Sequence, residues 1–190
     1  VFDIDANVTG SIRAGNGNNI FNINTTVGSL QGGDDTDQFV FGIHGRANSV
    51  NGGNGTNSLN ARNANNIWTI ISSNAGNVAN GSNDFYVGNF SNIQFLNGGN
   101  AADIFNINAS AANIYGNDGN DVFVFNLTNN GSANFIDGGS GTNSLRGRNQ
   151  DTTWALSGAN AGSMSTNANT YVTSFTRIGN LLGGSAMDTL

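Results

Sequence analysis

The sequence predicts an all-β protein, a right-handed parallel β-helix (β-solenoid) with about nine coils of roughly 18–23 residues each. Two observations carry this prediction: a short phrase repeats along the chain, and the composition disfavours helices. Each copy of the phrase is a glycine turn, an Asx residue and a large apolar residue that enters a strand. The copies occupy 32–39, 52–59, 98–105, 138–145 and 183–190, with looser copies at 14–21 and 115–123.

The spacing of the phrase indicates the kind of repeat. The apolar residues that close it are Phe2, Phe21, Phe39, Leu59, Phe105, Phe123, Leu145 and Leu190. Most steps between them are 18 to 22 residues, and two are 46 and 45 residues. The long steps are about twice the short ones, so each is interpreted as hiding a degenerate coil. Coils this short fit strands joined by tight turns rather than helical repeats.

A longer period is superimposed on the coils. Trp68 and Trp154 are 86 residues apart, and Phe21-Asn22-Ile23-Asn24 returns as Phe105-Asn106-Ile107-Asn108. We therefore expect one domain that is a fragment of a longer array with modules of about 85 residues. The expected divisions are the end of a coil at 1–11, module one at 12–96, module two at 97–181 and the start of a third at 182–190.

Composition supports an extended β structure. The chain has 37 Asn and 28 Gly and contains no Pro, Cys, Lys or Glu, so we expect less than about 5% helix. The formal net charge of −6 argues against binding to nucleic acid or to an anionic membrane surface. No run of apolar residues reaches the length of a spanning helix.

Alternation within the strands predicts which side chains face inward. In Phe105–Asn108 the large apolar residues Phe and Ile alternate with Asn, and in Phe123–Asn126 two Phe occupy alternate positions with one outward Val, as expected for a strand with one buried face. We expect Phe21, Phe39, Phe105 and Phe123 to be buried and stacked in a single column. Trp68 and Trp154 are expected to fill the core, with an exposed sugar-stacking platform as the alternative.

The segment Tyr115–Phe123 resembles the nonapeptide of repeats-in-toxin (RTX) proteins, Gly-Gly-x-Gly-x-Asp-x-apolar-x, although Asn117 stands where the second glycine belongs. In that family, loops of successive coils bind calcium through Asp carboxylates. The resemblance implies a possible calcium cofactor held by Asp103, Asp118 and Asp121 and by Asp34, Asp35 and Asp37. The alternative is an Asx-Gly turn stabilised by its own side-chain hydrogen bonds. No other cofactor is expected.

The larger pattern of 66–105, repeated from Trp154 to Leu190, is similar to the β-solenoid repeats of giant bacterial surface adhesins. These are the Asn/Gly-rich, cysteine-free repeats of filamentous-haemagglutinin-like and cyanobacterial exoproteins. The resemblance implies an extracellular, cell-surface fibre segment that serves adhesion, biofilm or a surface coat. The expected partners are neighbouring repeats or other copies stacked along the axis, and a surface glycan is a possible partner. No nucleic acid and no membrane insertion is expected.

An enzyme is the rival class, because parallel β-helices also host polysaccharide-active enzymes with Asp clusters on the outer face. Asp34, Asp35 and Asp37 form a tight acidic cluster, and His44 is the one histidine of the chain. Paired carboxylates could act as acid and base. However, these aspartates lie within the turn phrase, where the fold already accounts for them. We therefore expect no enzymatic activity.

Overall fold

The regular structure of the described residues is β-strand without helix. The computed structural model describes residues 1–125 and 130–190, and within them the strands form two mixed sheets in which most neighbours are parallel. The all-β class and the near absence of helix are thereby confirmed. No helix capable of spanning a membrane occurs among these residues.

The strands, numbered in chain order, divide between two sheets. Sheet A contains, in spatial order, β1 (Phe2–Ile4), β3 (Ile20–Ile23), β5 (Gln38–Phe41), β7 (Ser58–Asn60), β11 (Phe95–Gly99), β13 (Ser110–Asn117), β15 (Ser132–Asp137), β19 (Thr170–Thr176), β18 (Ala161–Ser165), β17 (Thr152–Gly158) and β21 (Asp188–Thr189). Sheet B contains β2 (Val8–Gly15), β4 (Thr26–Gly33), β6 (Arg46–Gly53), β10 (Phe85–Ser91), β9 (Ala75–Asn80), β8 (Asn66–Ser72), β12 (Ile104–Ile107), β14 (Val122–Phe125), β16 (Ser144–Arg146) and β20 (Asn180–Leu182).

Successive strands alternate between the sheets over most of the chain. There, each strand pairs in parallel with the strand two positions later, as β3 does with β5 and β12 does with β14. The pairing aligns equivalent positions of the phrase, because Phe21 lies opposite Phe39 and Phe105 lies opposite Phe123. The short repeat seen in the sequence therefore corresponds to one strand in each sheet.

Two segments depart from the predicted parallel arrangement. Strands β8, β9 and β10 form an antiparallel meander in sheet B, and β17, β18 and β19 form another in sheet A. The first hairpin of each meander turns through two residues, with Asn74 and Asn160 at φ of 51° and 57°. Asparagine tolerates this left-handed conformation, which two-residue hairpins require. The long steps of the sequence therefore contain a meander rather than a degenerate coil.

The two meanders lie in opposite sheets, and this corrects the prediction of one aromatic column. Strand β17 is the ninth strand after β8 and lies in sheet A, so the second copy of the module begins in the other sheet. Phe21 and Phe39 consequently lie in sheet A, whereas Phe105 and Phe123 lie in sheet B. The first meander adds two extra strands to sheet B, and the second adds two extra strands to sheet A. The second meander therefore compensates for the offset between the sheets that the first one produces.

The core consists of inward-facing side chains stacked along each sheet. Phe2, Phe21 and Phe39 stack in sheet A with successive ring centroids 4.8 Å apart. In sheet B the centroid distance is 5.4 Å from Trp68 to Phe105 and 5.1 Å from Phe105 to Phe123. The four predicted phenylalanines are fully buried, which confirms the predicted inward face.

The remaining core predictions concern the tryptophans and the end of one strand. Trp68 and Trp154 are both buried, so they fill the core as expected. Asn126, which ends the predicted alternation from Phe123, lies outside the described residues.

Candidate functional site

The Asx residue of the phrase is a buried side chain at the entrance to a strand. Asp37 and Asn57 directly precede β5 and β7, and Asp103, Asp121 and Asn143 directly precede β12, β14 and β16. All five are fully buried, although Asp and Asn are ordinarily exposed. A buried polar group requires hydrogen-bond partners, and backbone N–H groups supply one to Oδ1 of each of these side chains.

These side chains tie neighbouring copies of the phrase together. The backbone N–H of Asp103 donates to Oδ1 of Asp121 at 2.8 Å, and that of Asp121 donates to Oδ1 of Asn143 at 2.8 Å. Asn66 begins the same series by donating its N–H to Oδ1 of Asp103 at 2.7 Å. We call this series the Asx ladder. It satisfies turn N–H groups that strand pairing leaves free.

A second Asx ladder runs along the other end of the chain. The N–H of Asn19 donates to Oδ1 of Asp37 at 2.9 Å, and the N–H of Asp37 donates to Oδ1 of Asn57 at 2.8 Å. The N–H of Asn57 continues the series by donating to Oε1 of Gln94 at 2.8 Å. In both halves of the chain, Asp and Asn side chains therefore accept a hydrogen bond from the backbone N–H of a neighbouring turn.

The two glycines of the phrase have different roles. A Cβ on Gly116 would lie closer than 3.0 Å to Oδ2 of Asp121, and a Cβ on Gly98 would overlap in the same way with Asp103. The first glycine therefore provides space for the Asx side chain. The second has a positive φ, 128° at Gly99 and 78° at Gly139, which L side chains rarely adopt.

Aspartate and asparagine differ at the second side-chain atom. Nδ2 of Asn143 donates to the carbonyls of Gly139 at 3.3 Å and Arg177 at 3.2 Å. In Asp103 and Asp121 the corresponding Oδ2 is buried and has no hydrogen-bond partner within the described ranges. A carboxylate oxygen thus stands where its asparagine counterpart supplies a donor.

This environment raises the pKa of both carboxyls. Burial raises the pKa of Asp103 to about 7, against the opposing effect of the hydrogen bonds from Asn66, and the charge of Asp121 adds to the rise. Burial raises the pKa of Asp121 to about 6, with a further contribution from the charge of Asp118. The protonated form supplies the donor that the ionised form lacks.

The structure places the remaining predicted site residues on the surface. Asp34 and Asp35 are exposed, and accept hydrogen bonds from Nδ2 of Asn54 at 2.7 Å and from the N–H of Gly17 at 2.9 Å. Asp118 is exposed in the turn that precedes Asp121. Among the described residues, no three Asp or His side chains are grouped so that they could hold a metal ion.

The acidic cluster that was considered for catalysis is divided by the fold. Asp37 is buried, whereas Asp34 and Asp35 project to the outside, as does His44 in the turn after β5. Asp37 therefore belongs to the second Asx ladder, whereas Asp34 and Asp35 belong to an exposed turn.

Sequence reasoning did not identify a buried arginine in each module. The guanidinium carbon of Arg62 lies 4.0 Å from the ring centroid of Tyr86, and that of Arg148 lies 4.1 Å from Tyr171. Arg62 donates to the carbonyl of Gly45, and burial lowers its pKa. Each arginine thereby joins the start of a meander to its last strand through a cation–π contact. The sequence did contain a signal for this pair, because Arg62 and Arg148 are 86 residues apart, the same spacing as that of Trp68 and Trp154.

Comparisons of the chain with protein-family models, with curated proteins and with solved structures gave no match.

Proposed function

We propose that this chain is a segment of a right-handed β-solenoid fibre. The observation that carries the proposal is the strand order, in which successive strands alternate between two sheets and pair with the strand two positions later. A chain that advances in this way adds one strand to each sheet per turn. A right-handed path is the usual one for parallel strands joined by a crossover in the same sheet.

Continuity along the stacking direction supports a structural role. Backbone pairing, the Asx ladders and the aromatic columns all run across successive strands. Each of these contacts links a residue to its counterpart in the next turn, so the array can be extended without a new kind of contact. Repeat proteins owe their stability to such nearest-neighbour interfaces.

The proposed setting is the outside of a bacterial cell, in adhesion, biofilm or a surface coat. It rests on the resemblance of 66–105 to adhesin repeats. The outer faces of the sheets also carry many uncharged amide side chains, such as those of Asn97 and Asn106. A surface of this kind is suited to contact with uncharged polymers rather than with nucleic acid.

Axial association is the first expected consequence of the fibre proposal. Phe2 is the outermost ring of its column, and β1 is the first strand of sheet A, so a second copy could extend both. We expect light scattering to show a mass that grows with concentration, and electron microscopy to show rods. Phe2→Lys should weaken association by placing a charge in the column, whereas Val1→Lys adds the same charge at an exposed position.

Monomers at millimolar concentration, or equal association of Phe2→Lys and Val1→Lys, would contradict axial stacking. Circular dichroism of the two variants serves as the control for folding, because Phe2 is only half-buried at the edge of its sheet.

Calcium binding is a second candidate function, favoured by the Oδ2 atoms of Asp103 and Asp121, which lie at the entrances to the neighbouring strands β12 and β14 and have no partner among the described residues. Against it, Oδ1 of each carboxyl already accepts a backbone hydrogen bond. If calcium binds the folded chain alone, millimolar calcium should raise the melting temperature over that measured in chelator. Asp121→Asn should remove this difference in melting temperature. Asp34→Asn tests whether the other predicted calcium group, that of Asp34, Asp35 and Asp37, contributes to it. An unchanged melting temperature leaves the carboxyls with their role in the Asx ladder.

A further inference from the structure

An amide-lined groove crosses the outer face of sheet A. It has a volume of about 360 Å³ and runs over the ends of β5, β7, β11 and β13. Six amide side chains line it: Gln38, Asn60, Asn63, Asn97, Asn100 and Asn117. The volume lies within the range of sites for small ligands, roughly 300–1,000 Å³.

The amides of this groove have unused hydrogen-bonding capacity. Elsewhere on the surface, Nδ2 of Asn22 donates to Asp3 at 2.6 Å and Nδ2 of Asn54 donates to Asp34 at 2.7 Å. Within the described part of the chain, none of the six groove amides makes a side-chain hydrogen bond to protein, and Nδ2 of Asn60 is fully shielded from solvent without an acceptor. The groove amides that solvent reaches can therefore pair with a ligand that offers both donors and acceptors, whereas the shielded Nδ2 of Asn60 is closed to one.

Apolar surface lies beside these amides. Val40, Phe41 and Ala61 contribute to the lining. At the margin, Tyr115 lies opposite Asn97 in the sheet, and its ring centroid is 6.1 Å from that of Phe95 and 5.8 Å from that of Phe135. The three rings are half-buried on the outer face, where they offer apolar contacts next to polar ones.

None of the described residues that line the groove carries an ionisable side chain. The chain as a whole has a net charge of −6, which opposes the approach of anionic ligands. The ligand that fits is therefore uncharged, rich in groups that both donate and accept hydrogen bonds, and partly apolar. Sugars have these properties, because their hydroxyls match amides and their C–H faces pack on apolar side chains.

We propose that the groove binds a segment of a neutral oligosaccharide or polysaccharide. This proposal gives the adhesive role a ligand class, and it rests on the proposed function only for its setting outside the cell. The amides select the hydroxyl pattern, and Val40 and the neighbouring aromatic rings contact the sugar faces.

Native gel electrophoresis in the presence of soluble polysaccharides tests the proposal. The neutral probes are galactomannan, hydroxyethylcellulose and dextran, and the anionic probe is alginate. We expect at least one neutral probe to retard the chain. The double substitution Asn97→Ala and Asn100→Ala should weaken binding about tenfold, or about 1.4 kcal/mol, because it removes amide groups that hydrogen-bond the ligand.

Asn106→Ala is the matched control, because Asn106 projects outward from β12 in the other sheet and does not line the groove. It should bind like the unsubstituted chain. Melting temperatures establish that every variant is folded.

Absence of retardation by every neutral probe would overturn the proposal, as would equal retardation by alginate. Binding that Asn97→Ala and Asn100→Ala leave unchanged would overturn the assignment to this groove. A loss of self-association in place of glycan binding would identify the groove as a contact between copies and would also overturn it. The gels use dilute chain, so a negative result here is separate from failure of the axial association expected of a fibre.

Discussion

Replacing Phe105 with alanine is expected to lower the free energy of unfolding by about 3–5 kcal/mol, the range for truncating a fully buried phenylalanine. Phe105 is fully buried and stacks between Trp68 and Phe123 in sheet B. Its removal leaves a cavity between two flat rings that backbone pairing holds on either side, so the neighbouring strands have little freedom to close it. Urea unfolding followed by circular dichroism measures the change.

Phe85→Ala is the control for this substitution. The Phe85 side chain is 53% exposed at the start of β10, so we expect a change within about 0.5 kcal/mol. A loss below about 1 kcal/mol for Phe105→Ala would show that the ring is not a member of a tightly packed column.

Asp103→Asn and Asp121→Asn are expected to stabilise the fold at neutral pH and to have little effect near pH 4. The folded-state pKa values of about 7 and about 6 exceed the ordinary value of 3.8, so the folded chain binds more protons than the unfolded chain between these limits. The contribution of each carboxyl is therefore fully present below about pH 4, and is lost as pH rises to the folded pKa. An asparagine supplies its donor at every pH, as Asn143 does.

Thermal or urea unfolding of the variants and of the unsubstituted chain from pH 4 to pH 8 measures this effect. The advantage of each asparagine variant should grow by at most about 1.4 kcal/mol per pH unit and should level off above the folded pKa. Asp34→Asn is the control, because Asp34 is exposed and accepts a hydrogen bond from Asn54. Variants that lose stability equally at every pH would show that both carboxyls are ionised in the fold.

The candidate site was only partly predictable. The sequence drew attention to Asp37, Asp103 and Asp121 through the phrase, but it grouped them with Asp34, Asp35 and Asp118, which are exposed. The sequence does not distinguish a buried aspartate from an exposed one beside it, because the direction of each side chain depends on the turn conformation. The groove amides were not predicted either, because 37 asparagines in one chain give no signal that a few of them lack partners.

Local periodicity determined much of this protein without reference to any distant contact. A strand has a side-chain period of two, so alternation was sufficient to place Phe21, Phe39, Phe105 and Phe123 inside. The repeated glycine and Asx positions were likewise sufficient to locate the turns, since backbone conformation and space restrict those positions to few residue types. The composition excluded helix by the same local reasoning.

Only the tertiary structure decided which strands pair and in which sheet each module begins. A strand can pair with a neighbouring turn or fold back on its own chain, and residues 66–91 do the latter through the turn at Asn74. The strand of Trp154, β17, is the ninth after that of Trp68, β8, and the chain switches sheets an odd number of times between them, so equivalent residues of the two modules face the core from opposite sheets. Hydrogen-bond partners far apart in the chain determine that number, and no local pattern of side chains records it.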